Sequence, residues 1–87
     1  MDPITMQDIE KLRGTVYIGQ LITIEEEVAE FDNTTRKINM TETVIGIFPH
    51  FILLTYTYRG KTFTRTLTYV DILLDPSLES QVTKWQE

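Results

Sequence analysis

The segment from Phe51 to Thr68 alternates apolar or aromatic residues with threonine on both sides of the dipeptide Arg59-Gly60. Such alternation is typical of two antiparallel strands with one buried and one solvated side. A two-residue loop at Arg59 and Gly60 would fix the register, whereas a longer loop would shift the cross-strand partners by one. The predicted core side carries Ile52, Leu54, Tyr56, Phe63, Leu67 and Tyr69. The predicted solvent-facing side carries Thr55, Thr57, Thr62, Thr64, Thr66 and Thr68.

Two further strands are predicted upstream of this hairpin. One starts at Thr15 and ends near the acidic run that begins at Glu25, and the other covers residues 37–48. Gly46, inside the apolar run of the second strand, indicates a bend or bulge. Pro49 cannot donate a hydrogen bond to a ladder, so it indicates a turn between this strand and the hairpin.

A short helix is predicted at the start of the chain. Thr5 can cap its first turn, Asp8 completes a capping box, and Gly14 suits a left-handed residue after its end. The residues predicted on its packed face are Met6, Ile9 and Leu12. A helix of this length needs a sheet to pack on, because it would not be stable alone in water.

The chain of 87 residues is predicted to form a single domain of about five strands. Residues 1–14 form the N-terminal helix, residues 15–77 the sheet, and residues 78–87 either a last edge strand or a frayed tail. Asp71 is predicted to cap a short helical turn that follows the hairpin.

Composition argues against several kinds of chemistry. The chain has no cysteine and one histidine, so thiolate chemistry and paired histidine ligands are absent from the sequence. The acidic run of Glu25, Glu26 and Glu27 lacks the ligand spacing of a calcium loop and is interpreted as a solvated edge. We predict that the protein is not an enzyme and that it needs no cofactor or metal.

The charge balance also bears on partners. A formal net charge of −5 disfavours a nucleic-acid binder that neutralises phosphates. The basic residues that could still contact phosphate or a partner are Arg36, Lys37, Arg59, Lys61 and Arg65. Arg65 is predicted to lie opposite Leu54 on an apolar side, where it extends to the rim, pairs with an acid such as Glu42 or binds phosphate. The candidate aromatic contacts are Tyr56 and Tyr58, as stacking platforms, and Trp85, which either anchors a partner or docks on its own domain.

The block from Thr41 to Ser77, "TETVIGIFPHFILLTYTYRGKTFTRTLTYVDILLDPS", resembles the core of the Veg family of small proteins from Gram-positive bacteria. The similarity lies in a strand that runs into the "FPH" turn and in the segment "TYVDIL". The upstream segments "DIEKL", "GQLITIEEE" and "TRK" also resemble that family, whereas the acidic loop after Glu27 departs from it. The resemblance implies a mainly β fold, a small SH3-like or Sm-like barrel, without enzymatic activity.

The resemblance and the acidic charge together predict a non-catalytic interaction module with a regulatory role, in a family associated with gene-expression control and biofilm development. The predicted partner is a protein, either unidentified or a second copy that pairs through a strand edge. The alternative is an Sm-like protein that binds nucleic acid. The first residues lack the pattern of a signal peptide, and the sequence holds no apolar run that could span a bilayer, so a cytoplasmic location is predicted.

Overall fold

The computed structural model describes residues 3–83 of the chain. They form a four-stranded antiparallel sheet in the order β1-β2-β3-β4, together with three short helices. The elements are α1 (Met6–Arg13), β1 (Leu21–Ala29), β2 (Thr35–Ile47), β3 (Phe51–Tyr58), β4 (Lys61–Thr68), α2 (Tyr69–Leu74) and α3 (Pro76–Thr83). The prediction of a mainly β fold is confirmed.

Two finer predictions about the fold are corrected. Among residues 3–83 the sheet is open, with no closed barrel and no fifth strand. The region predicted as an edge strand or tail is helical in α3, because the Asp75 carboxylate accepts the N–H groups of Ser77 and Leu78 and Pro76 occupies the first helical position. Residues 84–87 of the predicted tail lie outside the described residues.

The predicted hairpin is confirmed with its register. Arg59 and Gly60 have φ angles of 51° and 79°, the left-handed conformations of a two-residue type I′ loop. Tyr58 is therefore opposite Lys61, and Leu54 is opposite Arg65. On the other side of the sheet the threonines of β4 are exposed, as predicted.

The predicted N-terminal helix is confirmed, with two corrections. Thr5 and Asp8 form both hydrogen bonds of a capping box. Gly14 has φ −66°, a right-handed and not a left-handed conformation, because its N–H continues the helical pattern to the Glu10 carbonyl. Met6 lies off the packed face and is 54% exposed. A further correction concerns β1, which was predicted to start at Thr15. It starts at Leu21, because residues 15–20 form turns and a short connection.

The bulge predicted at Gly46 is also present, as a shift in the pairing of β2 with β3 between Val44 and Gly46. The missing side chain leaves room for the Phe48 ring, which would be 2.7 Å from a Cβ atom at Gly46 and which stacks on Phe51 with a centroid distance of 4.9 Å. Phe48 therefore folds back over the bulge.

We expect Gly46→Ala to destabilise the protein by about 1–3 kcal/mol, because the new methyl group displaces the Phe48 ring. Urea denaturation measures this change. Gly14→Ala is the matched control: its Cβ would make only ordinary contacts, at 3.5 Å and beyond, in a right-handed conformation. The control should be neutral or stabilising by up to about 1 kcal/mol. Equal losses in both variants would contradict the steric explanation.

The core lies on one side of the sheet, which we call the helix-facing side. The helices contribute Ile9, Leu12, Ile72, Leu78 and Val82, and the sheet contributes Ile22, Ile24, Val44, Ile52, Leu54 and Leu67. Tyr69, fully buried at the start of α2, donates its hydroxyl to the Phe48 carbonyl at 2.7 Å. This contact ties α2 to the end of β2.

Candidate interaction site

An ionic cluster crosses the helix-facing side of the sheet. Arg65 on β4 donates from Nη1 to the Glu26 carboxylate on β1, and its Nε lies 3.2 Å from Oε1 of Glu42 on β2. Pairing of Arg65 with an acid such as Glu42 was one of the alternatives that the sequence left open, and the structure shows this pair. The sequence did not predict Glu26, because the register of β1 could not be read from it. We call these three residues the arginine bridge.

The arginine bridge indicates a strongly twisted and curled sheet. Through the strand registers, Arg65 aligns with Leu54, Val44 and Gln20, so Glu26 lies further along β1. In a flat sheet the Cα atoms of Glu26 and Arg65 would be about 25 Å apart, farther than the two side chains can reach. Twist and curl must therefore bring these diagonal positions together on the helix-facing side.

Glu42 is an unusual member of the bridge because it is fully buried. Neither of its carboxylate oxygens, nor Nε of Arg65, has an aligned hydrogen bond within the described residues. Burial raises the pKa of Glu42 to about 7; the Arg65 charge opposes this shift, and the Glu26 carboxylate adds to it. Glu42 is thus a buried acid that titrates near neutral pH.

The five basic residues singled out in the sequence do not form one patch. Arg36 pairs with Glu30 at 3.0 Å, and Lys37 pairs with Glu25 at 3.7 Å. Arg65 belongs to the arginine bridge, and Arg59 lies over the Tyr58 ring at 5.1 Å from its centroid. Lys61 is exposed beside the hairpin loop. Three of the five cations therefore face carboxylates of this chain.

The predicted core side of the hairpin is only partly core. The helices bury Ile52, Leu54 and Leu67, but Tyr56 is half-buried and Phe63 is 40% exposed. The prediction that Tyr56 and Phe63 belong to the core is corrected, because these residues lie beyond the part of the sheet that the helices cover. Their rings stack on each other with a centroid distance of 5.4 Å. The other candidate aromatic anchor, Trp85, lies outside the described residues.

The predicted turn and cap residues have different outcomes. Pro49 lies in the short connection between β2 and β3, where its carbonyl accepts a hydrogen bond from Arg13. The prediction that Asp71 caps α2 is corrected. Thr68 is the cap, and its hydroxyl accepts the Asp71 N–H at 3.1 Å. Asp71 lies in the first turn, where its negative charge favours the helix N-terminus.

The two edges of the sheet differ in what covers them. At the β1 edge, the Gln81 side chain of α3 accepts the Thr23 N–H at 2.7 Å and donates to the Thr23 carbonyl at 2.8 Å. At the β4 edge, the hairpin register turns the N–H and C=O groups of Thr62, Thr64 and Thr66 outward. No hydrogen bond from the described part of the chain satisfies these outward groups. We call them the open edge.

The open edge has the form that strand addition requires. It contains no proline and no bulge, and β4 pairs with β3 along its whole length. Natural proteins usually cover such an edge or interrupt it, because it is a template for pairing with another chain. The open edge is therefore the strongest candidate site among the described residues.

A groove of about 500 Å³ between α3 and β1 is a weaker candidate. Its two carboxylates are engaged, since Glu25 faces Lys37 and Asp75 caps α3. Within residues 3–83, no group of three or more acidic or histidine side chains is arranged to hold a metal ion. None of the described helices is long and apolar enough to cross a membrane.

These features define, over residues 3–83, an open, curled antiparallel sheet that short helices cover on one side and that no described segment covers at one edge. Comparisons with protein-family models, with curated proteins and with solved structures find no match for the chain. The resemblance to the Veg family therefore stays a prediction.

Proposed function

We propose that the protein is a non-catalytic interaction module that binds a protein partner as an added strand on the open edge of β4. The observation that carries this proposal is the contrast between the two edges: the Gln81 side chain caps β1 at Thr23, whereas the outward groups of Thr62, Thr64 and Thr66 have no partner in the described chain. An added strand would supply those hydrogen bonds.

The surroundings of the open edge support this function. The exposed ring of Phe63 lies on the helix-facing side beside the edge and offers an apolar contact to an alternate side chain of the added strand. The partner would add a fifth strand to the four-stranded sheet. A regulatory role, which the Veg resemblance implies, is part of the proposal.

The alternative function, Sm-like nucleic-acid binding, has less support. The net charge is −5, and Arg36, Lys37 and Arg65 face carboxylates of the same chain. Tyr56 has one ring face against Phe63, which reduces its use as a stacking platform. A nucleic-acid function would need these contacts to be exchanged for phosphate and base contacts.

The function can be tested with a displayed library of random linear peptides selected on the immobilised protein. Thr64→Pro removes an outward N–H while keeping every β3–β4 hydrogen bond, because proline is tolerated where an edge N–H faces solvent. We expect selected peptides to lose at least about tenfold in affinity for Thr64→Pro, since each would leave an acceptor unpaired.

Glu27→Pro is the matched control, because it places the same change at an outward position of β1. It should leave peptide affinity unchanged. Peptides that bind the Thr64→Pro variant as well as the unmodified protein would overturn the proposal. Homopolymeric single-stranded RNA serves as the second probe: retention at physiological salt, weakening steeply as salt rises, would support the nucleic-acid alternative.

A further inference from the structure

We propose that the strand that occupies the open edge is β4 of a second copy of this chain, paired antiparallel about a two-fold axis at Thr64. Two four-stranded sheets would then join into one continuous sheet. This inference rests on the proposed function, because it names the partner for the same edge. The supporting observations are the charges and the outward hydrogen-bonding groups of β4, which limit the possible registers between two β4 strands.

The position of the outward groups limits the possible registers. Only Thr62, Thr64 and Thr66 offer both an outward N–H and an outward C=O, because the Thr68 carbonyl lies at the start of α2. A two-fold axis at Thr64 pairs Thr64 with its own copy and Thr62 with Thr66 of the second copy. Residues 61–67 of both strands then overlap and share about six hydrogen bonds.

Charge selects among the registers of similar length. An axis at Arg65 would place two arginines directly opposite each other, which is unfavourable. An axis at Phe63 would shorten the overlap and place Arg65 opposite Lys61 of the second copy. The axis at Thr64 avoids both: Arg65 faces Phe63 of the second copy, and Lys61 faces Leu67.

The ends of the paired strands are also complementary in charge. With the axis at Thr64, the hairpin loop of one copy falls near the start of α2 of the other, just beyond the paired strands. Arg59 and Lys61 make the hairpin loop basic, and exposed Asp71 makes the start of α2 acidic. The two-fold axis would bring these oppositely charged segments near each other twice.

The covered edge of β1 favours this symmetric arrangement over a head-to-tail one. A head-to-tail contact would pair β4 with β1 of the next copy, but Gln81 already occupies the Thr23 backbone and α3 packs beside it. Two copies can instead pair through their open edges. This contact leaves no open edge for a third copy, so the assembly stops at a dimer.

A cysteine scan tests the register, because the unmodified chain contains no cysteine. Under mild oxidation, Thr64→Cys is expected to form a disulfide-linked dimer, since paired strand residues lie about 5.5 Å apart at Cα. Thr62→Cys and Thr66→Cys should each stay unlinked alone and cross-link when mixed. Cross-linking of Thr64→Cys with Thr66→Cys would instead place the axis at Arg65 and overturn the proposed register.

Sedimentation velocity between about 1 and 500 µM tests the dimer itself. We expect the unmodified protein and Glu27→Pro to shift from monomer to dimer with concentration, and Thr64→Pro to require at least about tenfold higher concentration. Circular dichroism of Thr64→Pro checks that the variant is folded. A monomer throughout this range overturns the inference; the proposed function still holds if selected peptides bind the open edge of that monomer. Dimerisation that Glu27→Pro abolishes and Thr64→Pro spares would overturn both.

Discussion

Stability is expected to fall by about 2–3 kcal/mol between about pH 5 and about pH 8, because Glu42 must give up its proton inside the fold. Its pKa is about 7 in the folded protein, against an ordinary value of 4.5. A raised carboxyl pKa stabilises the fold fully below about pH 4.5, and this contribution is lost as the pH rises through about 7. Urea denaturation at a series of pH values measures the loss.

Glu42→Gln is expected to remove this dependence and to be more stable than the unmodified protein at about pH 8, since a neutral amide replaces a buried charge. Exposed Glu27→Gln is the control and should retain the full slope. Asp8 and Asp32 have lowered pKa values through hydrogen bonds from Thr5 and Thr34. Their contribution to stability is therefore lost as the pH falls, and at lower pH than the Glu42 effect. A slope that persists in Glu42→Gln would show that another group causes it.

Leu54→Ala is expected to cost about 2–5 kcal/mol, because it opens a cavity in the centre of the core. Leu54 is fully buried between Val44 and Arg65, its neighbours on β2 and β4. In a domain of this size such a loss approaches the whole free energy of unfolding. Urea denaturation, monitored by circular dichroism, gives the change in the transition midpoint.

Leu53→Ala is the matched control for Leu54→Ala. The two leucines are adjacent on β3, but Leu53 lies on the threonine-bearing side, where it is only half-buried. The control should cost about 1 kcal/mol. A larger loss from Leu53→Ala would mean that the two sides of the hairpin had been assigned in reverse.

The sequence predicted the hairpin in detail because its information is local. Arg59 and Gly60 define the turn, and strict alternation then assigns every side chain to a side of the sheet. The Thr5–Asp8 capping box and the Gly46 bulge were readable for the same reason: each depends on residues close together in the chain. Glu42 could be named as one possible partner of Arg65 because Arg65 interrupts the apolar positions of its strand.

The remaining features depend on long-range geometry. No local sequence pattern determines whether a curled sheet closes into a barrel. The predicted barrel was therefore wrong for the described part of the chain. Glu26 could not be assigned to the arginine bridge, since this contact depends on twist across all four strands. The helix α3, in contrast, has a local sequence signal, because Asp75 followed by Pro76 is typical of a helix start. This signal argues against the edge strand that was predicted there.

The contact between Gln81 and Thr23 has a consequence for how freely the sequence can vary. Position 81 lies on a short surface helix, where most polar residues would ordinarily be interchangeable. The Thr23 peptide group, however, requires one donor and one acceptor from the same side chain. Glutamate lacks the donor, lysine lacks the acceptor, and asparagine is one methylene shorter. Substitution at this helix position would therefore uncover the Thr23 peptide group, because the Gln81 amide imitates the peptide bond of a missing strand.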